Sequence, residues 1–152
     1  MSAPFSDARV HRLVPFVHVH DVEASLRFYG LLGFAPRHVM RDDRGRAFWA
    51  SAATGKAPDG NGPAEIMFAQ ASPDPVPEQQ AVLFYMYSAD VAGLRTRLLA
   101  QGLHDGGPFC GARGPNNGRC VVFTITHPDY MPGGELRVAD PDGYCILVGQ
   151  HS

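Results

Sequence analysis

The sequence predicts an α+β fold built from two tandem βαβββ modules, and three observations predict it. A strand-like run, an Asp, an amphipathic helical pattern and a Gly occur in that order twice. The Gly falls 12 residues after the Asp both times, Gly33 after Asp21 and Gly102 after Asp90. Three further strand-like segments then follow each unit, so the self-similarity reads as a duplication.

The elements follow in order. Residues 14–19 are apolar and β-rich and end at His20, Asp21 and Val22; residues 81–87 repeat this and end at Ala89, Asp90 and Val91. Each Asp suits a helix N-cap, because its carboxylate accepts from the free amides of the first turn. Val22, Leu26, Tyr29 and Leu32 in one half, and Val91, Leu94, Leu98 and Ala100 in the other, approximate the i, i+4, i+7 spacing of an amphipathic helix. Each pattern stops at its Gly, which supplies the left-handed conformation that ends helices. Strands are then expected at 34–41, 47–51 and 64–69, and again at 120–126, 135–139 and 145–149. Asp140, Pro141, Asp142 and Gly143 form a tight turn between the last two. Module 1 covers about 10–70 and module 2 about 80–150 of a single domain over 1–152, joined by a Pro-rich linker at 71–79. Residues 104–119, Gly-rich with Pro108, Pro115, Asn116 and Asn117, read as a long irregular loop: a lid, a binding loop or a plain surface insertion.

Composition narrows the function. Hydrophobic residues make up 45% of the chain, enough for an interior, and no apolar run approaches the roughly eighteen residues of a membrane helix. The first ten residues carry no apolar signal core, so a cytoplasmic location is expected. The net charge is -2 with scattered Lys and Arg, which argues against nucleic acid or an anionic membrane as partner. Three cysteines, Cys110, Cys120 and Cys145, lack zinc-finger spacing, and the odd number suggests reduced thiols.

Residues 17–29, the triplet Leu32-Gly33-Phe34 and residues 140–146 are similar to the opening strand and helix and the closing hairpin of the glyoxalase/bleomycin-resistance (vicinal oxygen chelate) superfamily. The resemblance runs from Leu13 to Gly149. It implies a cup-shaped, half-open mixed β-sheet with the helices outside and the ligand within, often in a dimer. The superfamily includes isomerases, extradiol dioxygenases, thiol transferases and drug-sequestering proteins, so the fold leaves the function open. Metal-dependent members carry His, Glu, His and Glu at four cup-facing positions. Carried onto this chain, the resemblance places Val14, Glu65, Leu83 and Leu147 there. Val and Leu have no donor atoms, and one carboxylate cannot hold a divalent cation against water. No cofactor is therefore expected, and a divalent metal only at a displaced site, for which His127 and Asp129 near a turn are candidates. His18 shares strand parity with Val14 but lies about 13 Å further along, at roughly 3.3 Å per residue.

Alternation then nominates the cup lining: Val14, Phe16 and His18 on the first strand, Leu83, Tyr85 and Tyr87 on the fifth, Cys145, Leu147 and Gly149 on the last, and Trp49 or Phe48 on the third. Phe16, His18, Trp49, Tyr85, Tyr87, Cys145 and Leu147 are the expected ligand-binding residues. Such an apolar, aromatic cleft suits a flat or extended organic molecule. His18, and after it Glu65, are the acid/base candidates. In the long loop Cys110 is a reactive thiol if exposed or else an inert one, and Arg113 and Arg119 are contacts for an anionic ligand or solvated surface residues. The leading expectation is metal-independent binding of a small organic molecule, as in drug or toxin sequestration. The alternative is a lyase, isomerase or dioxygenase-type enzyme with a displaced metal or acid/base catalysis by His18 or Glu65. A regulatory module whose cup is filled by its own side chains is a third. A homodimer is expected, because edge strands and a half-open cup leave apolar surface uncovered.

Overall fold

A computed structural model describes residues 8, 10, 12–56, 60, 62–79, 82–111 and 120–151. Module 1 runs β1 (Phe16–Val19), α1 (Val22–Leu31), β2 (Ala35–Arg41), β3 (Ala47–Ala53) and β4 (Glu65–Gln70). Module 2 runs β5 (Leu83–Ser88), α2 (Val91–Ala100), β6 (His104–Asp105), β7 (Val121–Val122), β8 (Glu135–Ala139) and β9 (Cys145–Gln150). The sheets are ordered β1-β4-β3-β2 and β5-β9-β8-β7-β6, with β1 and β5 parallel to their neighbours. The expected frame is present, two unclosed sheets and two helices.

Its punctuation is physical. The Asp21 carboxylate accepts from the amides of Glu23 and Ala24, and that of Asp90 from Gly93. At the other ends Gly33 and Gly102 take φ of +99° and +95°. The amides of Phe34 and Leu103 reach back to the carbonyls of Tyr29 and Leu98, closing both helices identically.

Three expectations need correction. The strand expected at 120–126 shrinks to β7 and a lone bridge at Thr126, and His104–Asp105, read as loop, becomes β6. The cause is divided pairing: the Phe123 amide donates to Arg137 while the next, Thr124, donates to Gly107. The linker also holds a 3-10 turn at Pro77–Gln79. Residues 112–119 of the long loop, with Arg113 and Arg119, lie outside the described residues.

One face of each sheet packs on its own helix. Val17, Val19, Ala50, Ala52, Ile66 and Phe68 are buried with Phe28 and Tyr29 of α1; Phe84, Leu136, Val138, Ile146 and Val148 are buried with Val91 and Leu98 of α2. All belong to one core cluster, and burying each large side chain contributes about 1.5–3 kcal/mol. The Asp140–Gly143 turn does more than reverse the chain: it clasps module 1. Buried Asp140 accepts from the amides of Asp142 and Tyr144 and, at 2.9 Å, from the Tyr29 hydroxyl. Asp142 accepts from the His20 amide at 2.8 Å, and the Tyr144 hydroxyl donates to the His18 carbonyl at 2.9 Å.

Candidate functional site

The faces turned away from the helices hold the nominated residues. On module 1, Phe16 and His18 pair in register with Met67 and Ala69, and Ala69 with Trp49. Paired positions share a face, so Phe16, His18, Met67 and Trp49 stand together on the open side. Trp49 shares this face through its pairing with Ala69, while β2 skips Phe48, pairing Met40 with Trp49 and Arg41 with Ala47. Phe16 is 54% exposed, and its ring lies 6.0 Å from that of His18. The His18 ring takes part in no hydrogen bond with a described residue. Glu65 shares this face, but the register puts it four residues along β4 from Ala69, the partner of His18, about 13 Å away at strand rise. Its carboxylate pairs with Arg12 at 3.1 Å. His18 and Glu65 therefore do not form one acid/base site.

On module 2, Leu83, Tyr85 and Tyr87 pair with Cys145, Leu147 and Gly149, which pair in turn with Ala139, Arg137 and Glu135. Tyr85 and Tyr87 lie ring to ring at 5.3 Å, with Tyr87 65% exposed. This face is the polar one. Glu135, only 7% exposed, accepts from the Tyr85 hydroxyl at 2.8 Å through one oxygen and from Tyr130 at 2.9 Å through the other. Desolvation and the bond to Glu135 push the Tyr85 phenol up to about 12. The separate bond of Tyr130 to Glu135, first among the causes, raises that phenol as well. Arg137 stacks 3.9 Å over the Phe109 ring and donates to the buried Cys145 Sγ at 3.0 Å. Burial pushes the Cys120 thiol up to about 12, so it is no thiolate nucleophile near neutrality.

A cleft of about 950 Å³ runs along the outer edge of β5, between Leu32, Phe34 and Thr54 of module 1 and Tyr85, Tyr87 and Leu94 of module 2. Of the seven expected ligand residues it gathers Tyr85 and Tyr87; Phe16, His18 and Trp49 stay on the face of module 1, Cys145 and Leu147 on that of module 2.

A model of the glyoxalase/bleomycin resistance protein/dioxygenase superfamily matches residues 9–148. The chain belongs to this superfamily. Solved structures agree in shape at low identity. A bleomycin-binding protein complexed with bleomycin superposes with a TM-score of 0.64 at 17% identity, over 94% of this chain and 100% of its own. An antibiotic-binding protein, TnmS3, from Streptomyces sp. CB03234 gives 0.59 at 17%, over 95% and 99%. A glyoxalase-related enzyme from Clostridium phytofermentans gives 0.59 at 12%, over 92% and 94%. A comparison with curated protein sequences found no match. Of the residues that the resemblance places at metal positions, Val14, Leu83 and Leu147 have no donor atoms, and Glu65 pairs with Arg12. These residues do not fit a divalent metal at that place. His127, a candidate for a displaced site, hydrogen-bonds through Nδ1 to the Pro132 carbonyl, and no group of three His, Cys, Asp or Glu suited to a metal occurs among the described residues.

Sequence reasoning passed over Glu135, Tyr130 and Arg137. Alternation along β8 assigns Glu135 and Arg137 to the open face, a signal present in the sequence; the approach of Tyr130 depends on the fold of residues 127–134 and has none.

Proposed function

We propose that the protein is a metal-independent binder of a small aromatic or extended organic molecule, of the kind that sequesters a drug or toxin. One observation carries this reading: aromatic side chains stand exposed on the open faces, while aliphatic residues hold the positions where superfamily enzymes place metal donors. Sequestration requires affinity without chemistry, and stacking on Phe16, Trp49, Tyr85 and Tyr87 supplies it. The bleomycin- and antibiotic-binding proteins of like fold support the same class of ligand. Phe16, His18, Trp49, Tyr85, Tyr87, Cys145 and Leu147 form the contact set of this proposal.

The protein acts as a homodimer in this reading. Leu13, Met40 and Leu83 are exposed in the single chain, and a second copy packed against them would remove this apolar surface from water. The odd number of cysteines suits a reducing, cytoplasmic compartment. Amide-correlation NMR during titration with 2-(1-naphthyl)ethanol tests the site. Saturable shifts centred on the contact set are expected, and shifts confined to other surfaces, or none, contradict the proposal. Sedimentation at micromolar concentration should give a dimeric mass; a monomer would exclude the homodimer.

A further inference from the structure

We propose that Glu135, with Tyr85, Tyr87 and Tyr130 around it, recognises a cationic amine, so that the ligand carries a protonated or quaternary nitrogen. This rests on the small-molecule reading above and narrows it to one chemical class.

A carboxylate as buried as Glu135 is ordinarily paired with a cation. Among the described residues no Lys, Arg or His lies within ion-pairing distance of it; its two partners are phenols, one on each oxygen. A carboxylate offers about four acceptor sites, so two stay open to a further donor. The nearest cation on its own strand is turned away. Arg137 reaches Cys145, which stands opposite Ala139, whereas Glu135 stands opposite Gly149 in the other direction along the ladder. Phe109, beneath the Arg137 guanidinium, fixes that orientation.

The surroundings suit a cation as well. Tyr85 and Tyr87 present exposed rings tilted by 57° on the sheet face that also carries Glu135. Cations bind the faces of such rings. A phenol that donates to a carboxylate becomes richer in electron density, which strengthens that attraction at Tyr85 and Tyr130. Gly149 completes the arrangement. A Cβ there would come within 2.7 Å of the Met131 methyl and 2.9 Å of the Tyr85 hydroxyl, so glycine leaves the room in which that hydroxyl lies against β9 and reaches Glu135.

The test compares two probes of one shape, 2-(1-naphthyl)ethylamine and 2-(1-naphthyl)ethanol, by calorimetric titration of the full chain near neutral pH. The amine should bind at least about tenfold more tightly than the alcohol. Glu135→Gln should cut that preference to less than about threefold. Tyr87→Leu removes an exposed ring and should weaken the amine more than the alcohol; it keeps the test sound if Glu135→Gln fails to fold. Equal affinities for the wild type, or an amine preference intact in both variants, overturn the cation assignment. If the alcohol binds and the amine binds no better, the small-molecule reading survives and only this inference falls. Binding of neither probe overturns both.

Discussion

The two modules share a frame and differ on the face that the frame leaves open. Both have an Asp cap, a ten-residue helix and a Gly stop with the same pair of reverse hydrogen bonds, and in both the first strand lies beside the last. On the open side module 1 shows Phe16, His18, Met67 and Trp49, whereas module 2 has a carboxylate under two phenols and a guanidinium on an aromatic ring. The frame is held by requirements that any sequence of this fold meets: capped amides, a left-handed residue and apolar residues toward the helix. The open side carries no such requirement, so there the two halves were at liberty to diverge. Ligand chemistry is expected where they differ.

The largest effect should come from the clasp, which has no counterpart among the described residues of module 1. Asp140→Ala leaves the Tyr29 hydroxyl and the amides of Asp142 and Tyr144 without their acceptor. A loss of about 3 kcal/mol or more in urea denaturation is expected, at 1–3 kcal/mol for each buried group left unsatisfied. A loss under about 1 kcal/mol would show that the clasp does not hold the modules together.

The same residue gives the stability a pH dependence. Burial lifts the Asp140 carboxyl from its ordinary 3.8 to about 7, although Tyr29 and the backbone amides pull the other way. The folded chain thus holds that proton more tightly than the unfolded chain, so its contribution is full below about 3.8 and is lost as pH rises through about 7. Burial raises Asp142 as well, in the same sense. Urea midpoints should fall across this window for the wild type, and the slope should flatten in Asp140→Asn. Parallel curves for the two proteins would refute the assignment.

Smaller effects test the shared frame. Gly33 and Gly102 both have positive φ, and a Cβ would meet nothing within 4 Å at either. Gly33→Ala and Gly102→Ala should therefore each cost about 1–2 kcal/mol from backbone strain alone. Unequal losses would break the equivalence of the two helix ends. Smallest are the caps: Asp21→Ala and Asp90→Ala should each lower stability by about 1 kcal/mol, read from thermal midpoints.

Much of this frame was legible because its signals are local. An Asp before a helical pattern, a Gly after it, and alternation along β1, β5 and β9 are each read within about ten residues. Alternation also placed Phe16, His18, Tyr85 and Tyr87 on the open side. It failed at Phe48 and Trp49, where skipped pairing breaks the alternation, and at β6, where two residues carry no period. The clasp was read as a turn only, because the partner of Asp140 is Tyr29, 111 residues away. The carboxylate of module 2 escaped notice for a similar reason. Glu135 gains its meaning from Tyr85, 50 residues earlier, and from a phenol that a loop brings over the sheet.

The central claim is that the open faces hold an organic ligand without help from a metal. Calorimetric titration with 2-(1-naphthyl)ethanol, run on protein stripped with a chelator and again after adding a divalent ion such as zinc or manganese, tests it most directly. The account predicts the same affinity and stoichiometry in both titrations. Binding that vanishes on stripping and returns with the ion would contradict it.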